Sequence, residues 1–139
     1  MNFLFLGPDK MENDVVERKY ISRSTADTLL IQLDTLKNPT FYRNGIKEEL
    51  TFNVVHRSFK SQSENLLSAW LMLPESSFNG TTLIFLHGNA GNLTSQYGAM
   101  TPFAKRGYKI LMIDYSGFGF STGKASRDNL LLDGYSAVE

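Results

Sequence analysis

The sequence predicts an α/β fold in which an antiparallel hairpin leads into a parallel βαβ unit. Three observations carry that reading. Residues 50–59 and 66–73 form two strand-like runs separated by a polar turn. The stretches TTLIFL and KILMI are short, continuous and apolar. Between those two stretches lie about fourteen residues of helical character, closed by Gly107.

In chain order, the first patterned segment is residues 25–37. Ala26, Leu29, Leu30, Leu33 and Leu36 recur there at helical spacing. Thr25 can cap the start, and Asn38-Pro39 can end it, because proline disfavours helical geometry in the residue before it. We therefore expect residues 1–49 to form an N-terminal extension carrying one amphipathic helix packed on the core, and residues 50–139 to form a second unit.

In that second unit Leu50, Phe52 and Val54 alternate along the first strand, and the second contains Trp70. TTLIFL and KILMI read as strands covered on both faces of a sheet. The intervening helix, residues 93–106, has Pro102 inside it, at a cost of about 3 kcal/mol for a helix interior. It should either kink or restart there, with Thr101 as cap. A last helix can begin after Ser126 and carries Leu130, Leu131, Tyr135 and Val138; with no stop signal before Glu139, the chain reads as cut within it.

Composition narrows the partners. Of the 139 residues, 42% are hydrophobic and 20% charged, enough apolar material for a core. Fourteen basic and fourteen acidic residues balance, so nothing points to nucleic acid or to a strongly basic membrane face. The lack of cysteine rules out disulfides, thiolate metal sites and a cysteine nucleophile. The opening MNFLFLGPDK is too short an apolar run for a signal-peptide core or a membrane span. We read the chain as cytoplasmic.

Two motifs follow the two apolar strands: HGNAGN at residues 87–92 and DYSGFGFSTG at residues 114–123. Together, in this order, they resemble the α/β-hydrolase superfamily, in the branch of small serine hydrolases that includes depalmitoylases, esterases and serine-aminopeptidase-like enzymes. The resemblance covers residues 50–139, with Ser63-Glu64-Asn65 standing where members often carry an Asp-Gly hairpin turn. It implies the N-terminal portion of an α/β-hydrolase fold, truncated before the strand that delivers the nucleophile. It also implies hydrolysis of an ester, thioester or amide through an acyl-enzyme, on a small-molecule or acyl-protein substrate, with no metal or organic cofactor. By the same resemblance the backbone N–H of Asn89 is an oxyanion donor, supported by His87 and Gly88, and the catalytic triad lies beyond Glu139. The alternative is a non-catalytic fragment, at most an interaction module.

Residues 119–123 spell GFSTG, the letters of a nucleophile elbow, which would make Ser121 the attacking group. An elbow needs a buried strand directly before its first glycine and a helix directly after its serine. Here the strand ends at Asp114 and no helix starts before Ser126. Both histidines, His56 and His87, also precede Ser121, the reverse of the order Ser, acid, His. We read Ser121 as a hydroxyl bonding backbone in a glycine turn. Gly117, Gly119 and Gly123 match a dinucleotide-binding turn poorly, because Phe118 and Phe120 crowd it and Asp114 sets a negative charge where pyrophosphate would lie. Gly123-Lys124 lacks the remainder of a P-loop.

Overall fold

The computed structural model describes residues 9–88 and 90–139. Two four-stranded sheets share one core. The first is an antiparallel meander of β1 (Glu17–Ile21), β2 (Thr28–Leu33), β3 (Pro39–Arg43) and β4 (Ile46–Lys47). The second contains β5 (Phe52–Lys60), β6 (Leu66–Pro74), β7 (Thr82–Leu86) and β8 (Lys109–Ile113) in the order β5-β6-β8-β7. β5 pairs antiparallel with β6, β6 antiparallel with β8, and β7 parallel with β8. Helix α1 (Leu93–Lys105) makes the crossover between β7 and β8, and α2 (Arg127–Val138) follows.

The helix expected over residues 25–37 is a strand, β2, between two turns. Its inward residues alternate, with Ile31 and Leu33 buried and Gln32 exposed. The helical count had rested on Ala26 and Leu36, and both lie in turns. Ala26 has φ +59°, and Leu36 is exposed within a loop where the Asp34 carboxylate accepts from the N–H groups of Leu36 and Asn38. Packing decides the outcome: Phe41, on the neighbouring β3, stacks on Tyr97 of α1 with ring centroids 3.8 Å apart and meets Trp70 of β6 edge-on at 5.8 Å. A six-residue strand in a meander brings that ring to the core, where tertiary contacts outweigh local propensity.

On one face of the second sheet Trp70, Met72, Ile110 and Met112 pack with Ile31, Leu33, Phe41 and Tyr97. On the other, Leu67, Ala69 and Ile113 pack with Tyr115, Phe118 and Ala137. β8 is thus covered on both sides. β7 is not: it stands at the sheet edge, and Ile84 and Leu86 are 38% and 45% exposed. The expectation of a strand covered on both faces fails there because, among the described residues, β7 is flanked by β8 on one side alone. In α2 the buried residues are Asp133 and Ala137, whereas Leu131, Tyr135 and Val138 are exposed.

Helix α1 runs unbroken through Pro102 from its cap at Asn92, without the restart at Thr101. Pro102 has no N–H for the Gly98 carbonyl four residues back, and the Thr101 hydroxyl donates to that oxygen instead, at 3.2 Å. Thr101→Val should therefore cost about 0.5–1.5 kcal/mol, measured by urea unfolding. An unchanged midpoint would show that solvent serves the Gly98 carbonyl equally well. Gly107, with φ +90°, follows the helix where an added Cβ would lie 2.4 Å from the Ser77 carbonyl oxygen.

Candidate functional site

Because β7 and β8 are parallel, the loops that follow them emerge at the same carboxyl edge of the sheet, where α/β proteins place ligands. The first loop is residues 87–92 and the second residues 114–123. Both motifs therefore share one edge.

His87 and Asp114 join them. Each is the first residue after its strand, both are buried, and His87 Nε2 lies 2.8 Å from Asp114 Oδ1. The other ring nitrogen, Nδ1, is 2.8 Å from the Gly88 carbonyl oxygen, which can only accept, so Nδ1 carries a proton. Asp114 Oδ1 accepts from the N–H of Leu93 at the start of α1. Burial pushes the Asp114 carboxyl above the usual range, against the pull of His87 and of the Leu93 amide. Among the described residues its other oxygen, Oδ2, has no hydrogen-bond partner, and it packs against Gly119. A Cβ at Gly119 would lie 2.0 Å from that oxygen, and φ there is +50°, so glycine is required on both counts.

Further bonds tie the two loops together. The Tyr115 hydroxyl donates to the His87 carbonyl oxygen at 2.7 Å, and burial, with the Asp114 and Asp133 charges, pushes its pKa up to about 12, which keeps it a neutral donor. Asn92 caps α1: its side-chain oxygen accepts from the Thr94 N–H, while its own N–H donates to the Ser95 hydroxyl. The Asn92 side-chain amide donates to the Asp9 carbonyl, which also accepts from the Gly119 N–H, and Met11 N–H donates to the Gly119 carbonyl. The N-terminal segment thus straps across both loops.

The structure accounts for the other sequence candidates unevenly. Asn89 lies outside the described residues. His87 bonds within its own loop through Gly88. Ser121 is buried, its hydroxyl donating to the Asp114 carbonyl at 2.7 Å and accepting from the Ser68 N–H at 2.8 Å.

Two groups escaped the sequence reading. Asp133, fully buried in α2, accepts from the hydroxyls of Ser61 and Ser63 and from both the N–H and hydroxyl of Ser116. It joins the β5–β6 turn and the loop after β8 to α2. Its signal was available: a carboxylate between Leu130 and Ala137 at helical spacing. His56, meanwhile, continues the inward alternation of Phe52 and Val54 along β5.

Residues 81–138 match the family model described as alpha/beta hydrolase fold. Protein bem46 of Schizosaccharomyces pombe is 32% identical over 117 residues, 76% of this chain and 38% of its own length. The uncharacterized protein YfhR of Salmonella typhi is 40% identical over 58 residues, 42% of this chain and 20% of its own. The matched part of the chain thus spans well under half the length of these relatives. Among solved structures, Pyrococcus furiosus esterase Pf2001 superposes with a TM-score of 0.52 at 26% identity, over 63% of this chain and 35% of that one. Among the described residues no helix is long and apolar enough to cross a membrane.

Proposed function

Since the chain has the N-terminal part of an α/β-hydrolase fold, we propose that it forms the oxyanion-loop half of a serine hydrolase that cleaves an ester, thioester or amide through an acyl-enzyme. The observation that carries this reading is the buried His87–Asp114 pair. It fixes the start of HGNAGN against the start of DYSGFGFSTG at the carboxyl edge of two parallel strands.

Acyl transfer builds negative charge on the carbonyl oxygen, and an amide held at that edge stabilises it. In this reading the N–H of Asn89 is that donor, His87 holds Gly88 through its carbonyl, and water resolves the acyl-enzyme with no metal or organic cofactor. Neither histidine is placed to serve Ser121: His87 Nε2 faces Asp114, and His56 Nε2 faces Ser68. The Ser121 hydroxyl has both its bonds on backbone groups. Nucleophile, acid and base are accordingly assigned to sequence beyond Glu139, and the substrate class to pocket residues supplied there.

The 139-residue chain should show no sustained turnover of a chromogenic short-chain ester and no fluorophosphonate label on Ser121. Turnover abolished by Ser121→Ala would overturn the reading. The reading frame past Glu139 tests the other half: it should encode an apolar strand running into a second G-x-S-x-G, then Asp and His. A frame that closes without them leaves the non-catalytic fragment.

A further inference from the structure

A second histidine contact lies away from the two loops. His56 pairs with Trp70 and Ser58 with Ser68 across the β5–β6 ladder, which sets His56 and Ser68 on a diagonal. His56 Nε2 and Ser68 Oγ are 2.8 Å apart. The main chain of His56 is fixed from outside its sheet, its N–H donating to the Asn38 side-chain oxygen at 2.8 Å. Both residues line a cavity of about 220 Å³ that is also walled by Lys37, Phe120 and Thr122, with the Lys37 ammonium 4.6 Å from the centre of the Phe120 ring. Ser68 is 4% exposed and is among the residues that line this cavity.

We propose that Ser68 is an acyl-acceptor site, its hydroxyl activated by His56 and reached through this cavity by small activated esters. Burial lowers the pKa of His56, helped by the charges of Lys37 and Arg57 and opposed by Asp34, so the imidazole is neutral at pH 7. In the tautomer protonated at Nδ1, Nε2 accepts the Ser68 proton, the arrangement a serine nucleophile requires. As Ser68 Oγ bonds to the carbonyl carbon, its proton passes to Nε2. The ester C–O bond then breaks, and the imidazolium returns the proton to the departing oxygen, which leaves as an alcohol or phenol. The product is an O-acyl serine.

The Asp34 carboxylate is taken up by Leu36 and Asn38, and among the described residues no acid bonds the other ring nitrogen of His56. Without such an orienting acid the pair takes one group and does not turn over. The proposal does not depend on the oxyanion-loop reading.

The test is to treat the folded chain with a small fluorophosphonate and map the adduct by mass spectrometry. One adduct on Ser68 is expected, and it should be absent in urea. His56→Gln, with its melting transition checked, should slow labelling about 10²-fold, the contribution of a general base. A folded wild-type chain without a Ser68 adduct, a Ser68 adduct that persists in urea, or labelling indifferent to His56→Gln in a folded variant would each overturn the proposal. A misfolded His56→Gln leaves the wild-type map and its urea control to decide.

Discussion

Asp133→Ala is expected to destabilise the protein by about 3–5 kcal/mol, a large part of what a small domain has to lose. The buried carboxylate accepts four hydrogen bonds: from Ser61 Oγ at 2.6 Å, Ser63 Oγ at 2.7 Å, and Ser116 N and Oγ at 2.7 Å each. Bonds to a charged acceptor are the strong ones, and losing the acceptor leaves its donors desolvated without recompense. The hydroxyls can rotate toward other partners, such as Ser136 Oγ, 3.3 Å from Ser61 Oγ. The Ser116 N–H is fixed by the backbone and cannot. Damage should therefore concentrate on the loop after β8, and hydrogen exchange at residues 114–123 should rise before the global transition. Urea unfolding reads the total. A loss below about 1 kcal/mol would mean that water enters and replaces the carboxylate.

Asp133 also marks where the sequence could and could not be read. The hairpin, the βαβ unit and both helix starts were legible because each is a local pattern with its own punctuation, such as the helix start after Ser126 and Gly107 after α1. The segment at 25–37 was misread because its helical count treated two turn residues as part of the pattern. What separated strand from helix was Phe41, a later residue whose partners Trp70 and Tyr97 lie far along the chain.

The site divides in the same way. Motif order brought the two loops to one sheet edge. It did not reveal the Asp114 carboxylate as the partner of His87, because a strand-end aspartate reads equally well as a solvated turn residue. Nor did it reveal the strap, since a bridge between Lys10 and Gly119 joins positions with no shared periodicity. Ser121 is the opposite case: five letters suggested chemistry, and their neighbours removed it.

The other large effect concerns the Asn89 amide, in a complete enzyme that carries this HGNAGN loop. Asn89→Pro should lower kcat by about 10²–10³, the usual loss for one oxyanion donor, whereas Asn89→Ala keeps the N–H and should cost little. The comparison separates backbone from side chain within one position. kcat is the quantity to read, because a donor that acts mainly on the transition state leaves KM nearly unchanged. Proline could also displace the loop and break the His87–Gly88 contact, so the thermal transition of Asn89→Pro must first match the parent's. With folding matched, equal damage from alanine and proline would assign the role to the Asn89 side chain, and two harmless variants would reduce HGNAGN to a turn between β7 and α1.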